Sequence, residues 1–213
     1  MVERCRRSTG ATIAASRAAL VDGVAANLAG GTHHAFPDRG AGYCVFNDVA
    51  VAIRTLQVEQ QIERAIVFDG DVHQGDGTAF IFQNDSSVRT FSLHARRAFP
   101  VRKMQSDVDL ELHPGASDEE YLNAWAHGLD LIVKDFRPDI AYFLAGADPF
   151  EGDTLGGLAV TKAGLAKRDE MVFDRCAAHR WPLVIAMAGG YAAIEDIVDI
   201  QFHTITASVC LLW

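Results

Sequence analysis

The chain is predicted to fold as an α/β protein in three layers, αβα, around a mostly parallel central sheet. Two observations predict it. Short, nearly all-apolar runs alternate with longer segments whose apolar residues recur at helical spacing, and uniformly apolar strands belong to parallel sheets covered on both faces. Polar residues then collect directly after those runs, where open parallel sheets place their ligand sites. In order, residues 11–29 are Ala-rich with helical spacing and read as a helix stopped by Gly30-Gly31. A loop with His33 and His34 follows, and Asn47 or Asp48 caps a second helix to about residue 60. Residues 65–68 and 88–93 read as buried strands. Ser117 or Asp118, with Glu119 and Glu120 in the first turn, opens a helix through about residue 135. Residues 140–144 form a strand, Thr161 starts a helix to about residue 180, residues 183–187 form the last clear strand, and 192–212 the final helix.

With 213 residues, 49% of them hydrophobic, and no linker-like stretch, the chain is expected to form a single domain over residues 1–213. A formal net charge of -9 argues against nucleic acid as a partner, because phosphate binding rests on Lys and Arg. The same charge tolerates cationic substrates. Cys5, Cys44, Cys176 and Cys210 show no C-x-x-C spacing, so neither a thiolate zinc site nor a disulfide framework is indicated, and reduced thiols fit a cytoplasmic location. Arg17 and Asp22 interrupt the segment after Arg4, Arg6 and Arg7, leaving no signal-peptide core, and no run reaches transmembrane length. No membrane partner is expected. Cys210-Leu211-Leu212-Trp213 matches a C-a-a-X box formally, but the final Trp and the lack of a basic cluster favour a helix end.

The densest chemistry follows the apolar run of residues 65–68: Asp69-Gly70-Asp71-Val72-His73-Gln74-Gly75-Asp76-Gly77. Asp71 and His73, two apart on an extended segment, project to one side and can grip one divalent ion. The alternative for these residues alone is an acidic, Gly-rich turn leaving a strand. Three other predicted strands also end in polar or Gly-rich groups: Ser92 and His94, Gly146-Ala147-Asp148, and Gly189-Gly190-Tyr191. Asp148 is the natural third ligand, giving two carboxylates and one imidazole with a position open for water and substrate. Such ligands suit Zn²⁺ and also Fe²⁺ or Mn²⁺. His33-His34 could supply a base if Asp69 and Asp76 orient the two rings, since a carboxylate on one ring nitrogen sets the tautomer and raises the basicity of the other. Without those partners, the pair reads as solvated surface. Tyr191, after two glycines, could donate to a developing oxyanion, or else be a packed core tyrosine.

Five ordered motifs carry a family resemblance: Gly31-Thr32-His33-His34-Ala35-Phe36, Gly42-Tyr43-Cys44-Val45-Phe46-Asn47-Asp48, the Asp69 to Gly77 segment, Gly146-Ala147-Asp148-Pro149-Phe150-Glu151-Gly152-Asp153 and Gly189-Gly190-Tyr191. From about Arg7 onward the chain resembles the zinc-dependent histone deacetylase family, most closely its bacterial and class IV-like branch. The resemblance implies the arginase/deacetylase fold and hydrolysis of an acylated amine, an acyl-lysine or acylpolyamine. It implies Zn²⁺ on Asp71, His73 and Asp148. It implies His34, paired with Asp76, as general base and acid; His33, paired with Asp69, as its electrostatic partner; and Tyr191 polarising the scissile carbonyl. Tyr43 and Phe99 match positions walling the acyl-lysine channel, and Ser92 with the main chain around Asp69, Asp71, His73 and Leu93 resembles the family's structural K⁺ site.

Members of that family usually carry several dozen residues before the equivalent of Arg7, so the resemblance also implies an N-terminally shortened fold with part of the rim missing. An unpaired strand edge there leads to the expectation of a homo-oligomer covering the gap. Two competing readings remain. A binuclear manganese ureohydrolase of the arginase type needs a further acidic residue after the strand-end histidine, where this chain has Gln74-Gly75. A metal-binding, catalytically weak interaction protein keeps every motif residue but lacks substrate positioning from the rim.

Overall fold

The computed structural model describes residues 1–211, apart from the Cys210 side chain. Its elements run α1 (Val2–Asp22), β1 (Val24–Asn27), α2 (Asp48–Val58), β2 (Ala65–Asp69), α3 (Asp76–Phe82), β3 (Val88–Ala95), β4 (Val108–Leu112), α4 (Asp118–Ile132), β5 (Ile140–Leu144), α5 (Lys162–His179), β6 (Leu183–Ala186) and α6 (Ile194–Ser208), followed by a 3₁₀ turn over Val209–Leu211. The six strands form one sheet in the order β1-β6-β5-β2-β3-β4. Every pairing is parallel, so the expected mostly parallel sheet is wholly so.

Side chains of period two divide the strands between two cores. Ile66, Phe68, Phe91, Phe143 and Ile185 meet Trp125 and Leu129 of α4 and Val172 and Phe173 of α5. Ala65, Val67, Tyr142 and Val184 face Ala15 and Ala19 of α1, Ile53 and Leu56 of α2, and Phe82 of α3. The central strands β2 and β5 are buried along their whole length, which is why they read as continuous apolar runs. Helix starts follow the side-chain chemistry expected of them. Asn47 accepts from the Ala50 amide, Thr161 accepts from the Gly164 amide, and Ser117 with Glu120 forms a capping box.

Four elements depart from the sequence expectation. The first helix spans Val2–Asp22, and Gly23, at φ 89°, ends it. Residues 24–27, expected within that helix, form the edge strand β1, pairing with β6 from Val24↔Leu183 onward. The buried face of α1 is Thr9, Thr12, Ala15, Ser16 and Ala19, a small and partly polar stripe that apolar periodicity does not reveal. Strand β4 and helix α3 were not expected. β4 is a half-exposed edge with the alternation Val-Asp-Leu-Glu-Leu, and α3 is a seven-residue helix inside the glycine-rich motif. The expected end of the last helix at Leu212, and the C-terminal box reaching Trp213, lie partly outside the described residues. No helix among the described residues is long and apolar enough to cross a membrane.

Gly128 lies inside α4, and a methyl group there would run into the Phe91 ring, which is fully buried and edge-on to Trp125 at 5.0 Å. Helix propensity favours Ala over Gly by roughly 1 kcal/mol. Overpacking a core costs about 1–3 kcal/mol. Gly128→Ala is therefore expected to lower the unfolding free energy in urea by up to about 2 kcal/mol, whereas propensity acting alone would raise it.

Candidate active site

The parallel register brings four strand ends to one rim. Asp69 pairs with Ser92 on one side and Leu144 on the other, and Leu144 pairs with Ala186. The turns after β2, β5 and β6 therefore emerge side by side. Asp71, His73 and Asp148 meet there, all buried, with one ligand atom from each lying within 4.8 Å of the others. His73 Nδ1 is 2.8 Å from Asp71 Oδ1 and 3.1 Å from Asp148 Oδ2. Backbone amides hold the carboxylates in place: Gly189 N–H donates to Asp71 Oδ2 at 2.8 Å, His73 N–H to Asp71 Oδ1 at 2.8 Å, and Val72 N–H to Asp148 Oδ1 at 2.9 Å.

This donor set fits a divalent cation. Two carboxylates share a site nearly closed to water, and among the described residues no Lys or Arg pairs with either. Burial and then the Asp71 charge push Asp148 up to about 8. Burial works to depress the His73 imidazolium, but hydrogen bonds and charge from Asp148 and Asp71 lift it to about 10. Asp71 is held well below the usual carboxylate range, against its own burial, by His33 and His73. Without a metal, protons balance the charge. A cation at the same point would satisfy both carboxylates and the imidazole at once.

The histidines are paired as the motif chemistry requires. His33 Nδ1 is 2.7 Å from Asp69 Oδ2, and His34 Nδ1 is 2.6 Å from Asp76 Oδ1 at the start of α3. The loop carrying them is caged by the start of α2. Asp48, 1% exposed, accepts from Thr12 Oγ1 and from the amides of Gly31 and Thr32. Asn47 Nδ2 donates to Thr78 Oγ1 and to the His33 carbonyl. The two rings titrate in opposite directions. Burial depresses His33, but the Asp69 and Asp71 charges overcome it and raise it to about 9. Burial and the adjacent His33 charge lower His34.

A cavity of about 530 Å³ opens over this group, bordered by His34, His73, Tyr43, Phe99, Leu155 and Tyr191. Phe99 sits edge-on to His34 at 4.8 Å, and Tyr191 edge-on to His73 at 6.1 Å. Burial and the nearby Asp71 and Asp148 charges push the Tyr191 hydroxyl up to about 12, so it keeps its proton. Tyr43, at φ 64° and 91% exposed, marks the mouth and leaves that wall open. Ser92 and Leu93 are buried beside the Asp69 segment, and the Ser92 hydroxyl is 3.0 Å from His94 Nδ1. A larger groove of about 730 Å³ runs along α2 past Phe36, Phe46 and Val51, but contains none of these groups.

Several contacts that shape the site could not be read from the sequence. Gln74 bonds away from the Asp71–His73–Asp148 cluster: its Nε2 donates to the Met104 carbonyl and Asp109 Oδ1, both at 2.7 Å, and its Oε1 accepts from Met104 N–H. Lys103 Nζ donates to the carbonyls of Ala98 and Pro100, on either side of Phe99. Together they tie the segment bearing Phe99 to the motif. Asp153 accepts from Tyr191 N–H at 2.6 Å and from the amides of Leu155 and Gly156, setting the other wall. All of these contacts join distant positions or use backbone partners.

A wholly parallel three-layer sheet with these groups at its strand ends has the arginase/deacetylase fold. The chain belongs to the histone deacetylase domain family, which matches residues 1–206. It is 46% identical over 199 residues to an uncharacterized protein of Picosynechococcus sp., covering 93% of this chain and 66% of that one. It is 32% identical over 189 residues to histone deacetylase 2 of Arabidopsis thaliana, covering 87% of this chain and 49% of that protein. Among solved structures, the acetylpolyamine aminohydrolase of Burkholderia pseudomallei superposes with a TM-score of 0.84 at 26% identity, over 96% of this chain and 62% of that one. A histone deacetylase homologue from Aquifex aeolicus gives 0.82 at 26% identity, over 95% and 56%. The chain thus spans about half to two thirds of the length of these relatives.

A Cβ added at Gly75 would collide with Asp69 Oδ2, the oxygen that holds His33, and come within 3.1 Å of His33 Nδ1. Gly75→Ala is expected to remove the downfield imidazole N–H proton resonance of the His33–Asp69 pair while leaving that of His34–Asp76. Retention of both resonances would show that the backbone at residue 75 moves aside instead.

Proposed function

We propose that the protein hydrolyses the amide of an acylated amine, an acyl-lysine side chain or an acylpolyamine, releasing the carboxylate and the free amine with the help of a divalent cation. The observation that carries this reading is one cavity lined by the Asp76-paired His34, by Tyr191 and by His73, whose ring contacts the buried Asp71 and Asp148. Family membership supports deacetylation, and the likeness to an acetylpolyamine aminohydrolase supports an amine as the leaving group.

Asp71, His73 and Asp148 would hold Zn²⁺ or Fe²⁺. Such an ion, when bound, acts as a Lewis acid and lowers the pKa of a coordinated water to about 7. The chain's own residues move the protons. Asp76 takes the Nδ1–H of His34, so Nε2 is the free base that accepts a proton from the attacking water. The lowered His34 pKa keeps that base available at neutral pH. The same ring then gives its proton to the departing amine nitrogen as the carbon–nitrogen bond breaks. Tyr191, still protonated, donates to the carbonyl oxygen as negative charge develops there. Phe99 lays an aromatic surface along the path of an alkyl stem.

Acetate release from an acetyl-lysine peptide and an N-acetylpolyamine tests this assignment. His34→Ala is expected to cut kcat/KM by about 10²–10⁴, and Tyr191→Phe by about 10²–10³. Equal release by all three proteins contradicts the mechanism. The acid limb of the pH profile should have its midpoint below the ordinary histidine value of 6.5, because His34 is depressed. In His33→Phe the neighbouring positive charge is gone and His34 rises, so that limb should shift to higher pH. A shift to lower pH would reverse the roles of the two rings.

A further inference from the structure

Arg168, on α5, is fully buried and lies outside the cavity, in the core beneath the strand ends. Its charge is balanced by the next residue: Nε donates to Asp169 Oδ1 at 2.8 Å, and Nη2 lies 2.8 Å from the same oxygen. Thr204 Oγ1 of α6 donates to the other Asp169 oxygen at 2.5 Å, fixing that carboxylate. A buried ion pair of this kind contributes little net stability, since desolvation offsets its attraction and apolar side chains could fill the same volume. What an apolar side chain could not supply is the remaining arm of the fork. Arg168 Nη1 donates to the Gly146 carbonyl at 2.7 Å and reaches the Gly70 carbonyl at 3.4 Å and Tyr121 Oη at 3.3 Å.

Those two carbonyls flank the ligands. Gly70 immediately precedes Asp71, and Gly146 stands two residues before Asp148. The two turns touch: a Cβ at Gly146 would come within 2.7 Å of Asp71 Cα and 3.1 Å of the Gly70 oxygen. Among the described residues, Arg168 is the one side chain from outside the turns that donates to a carbonyl in each. The two turns carry buried carboxylates close together, and a planar guanidinium can span both carbonyl acceptors with one rigid group.

We propose that Arg168 is a positioning residue that sets the spacing of the Asp71 and Asp148 carboxylates and thereby the affinity and geometry of the divalent site. The inference rests on the metal-centre reading above. Lys at this position would keep the charge beside Asp169 but lose the fork.

The test is Co²⁺ binding, followed by chelator competition and by the visible ligand-field spectrum, in the wild type, Arg168→Lys and Thr204→Val, with the melting temperature of each ion-free protein. Arg168→Lys is expected to weaken Co²⁺ binding by about 10–100-fold, the usual effect of removing a group that orients metal ligands, and to change the band positions and intensities. Thr204→Val, which frees Asp169 and so loosens the guanidinium while leaving it present, is expected to weaken binding in the same direction by a smaller factor. If Arg168→Lys does not fold, Thr204→Val decides alone. A folded Arg168→Lys, or in its absence Thr204→Val, with unchanged affinity and spectrum overturns the proposal and leaves Arg168 as core structure only. A wild type that binds no Co²⁺ overturns instead the metal-centre reading beneath it.

Discussion

Two buried carboxylates, Asp71 and Asp148, are held against each other beside His73, and the rest of the site is arranged around that unfavourable proximity. The parallel register supplies it, placing the ends of β2 and β5 side by side so that their next turns must touch. Backbone amides of Gly189 and His73 hold the two Asp71 oxygens and that of Val72 holds one Asp148 oxygen, which prevents the side chains from swinging apart. Asp71 Oδ1 and Asp148 Oδ2 converge on His73 Nδ1 in a region that water scarcely reaches. Such a cluster is strained electrostatically until protons or a cation occupy it.

The same stretch also orients the two adjacent histidines. Asp69 and Asp76, on either side of Asp71 and His73, take the Nδ1 positions of His33 and His34, while His33 Nε2 lies 3.8 Å from Asp71 Oδ1. Because the two rings lie 4.1 Å apart, charge on one depresses the other, so the pair divides into a protonated and a neutral histidine. Gln74, whose place could have carried an acidic ligand for a second ion, instead grips the segment that positions Phe99. The site is thereby coupled to its wall through one residue of the motif.

Much of this was legible in the sequence because it obeys short-range rules. Asp71 and His73 follow a uniformly apolar strand at a spacing of two, and the convergence of Asp148 and Tyr191 on the same rim follows from parallel topology. The paired histidines became readable once two unassigned carboxylates were found in the motif. What escaped detection lacks such a rule. The buried stripe of α1 is Thr, Ser and Ala, so the helix gave no apolar period, and Gly23 hid the change to β1 inside an Ala-rich run. Strand β4 is a short edge, half exposed, and α3 is hidden by glycines. Arg168, Asp153 and Gln74 act through main-chain atoms or partners tens of residues away, which no local pattern records.

The central claim is that the strand ends build a mononuclear site whose charge a divalent cation completes. Titration of the ion-free protein with Zn²⁺ at pH 7, with proton release measured by calorimetry in buffers of different ionisation enthalpy, tests it most directly. Burial and the Asp71 charge raise Asp148, and His73 is raised against its burial by hydrogen bonds to Asp148 and Asp71, so ion binding has to displace protons from these groups. The account predicts one ion per chain with net release of protons. Two ions per chain, or binding without proton release, would contradict it.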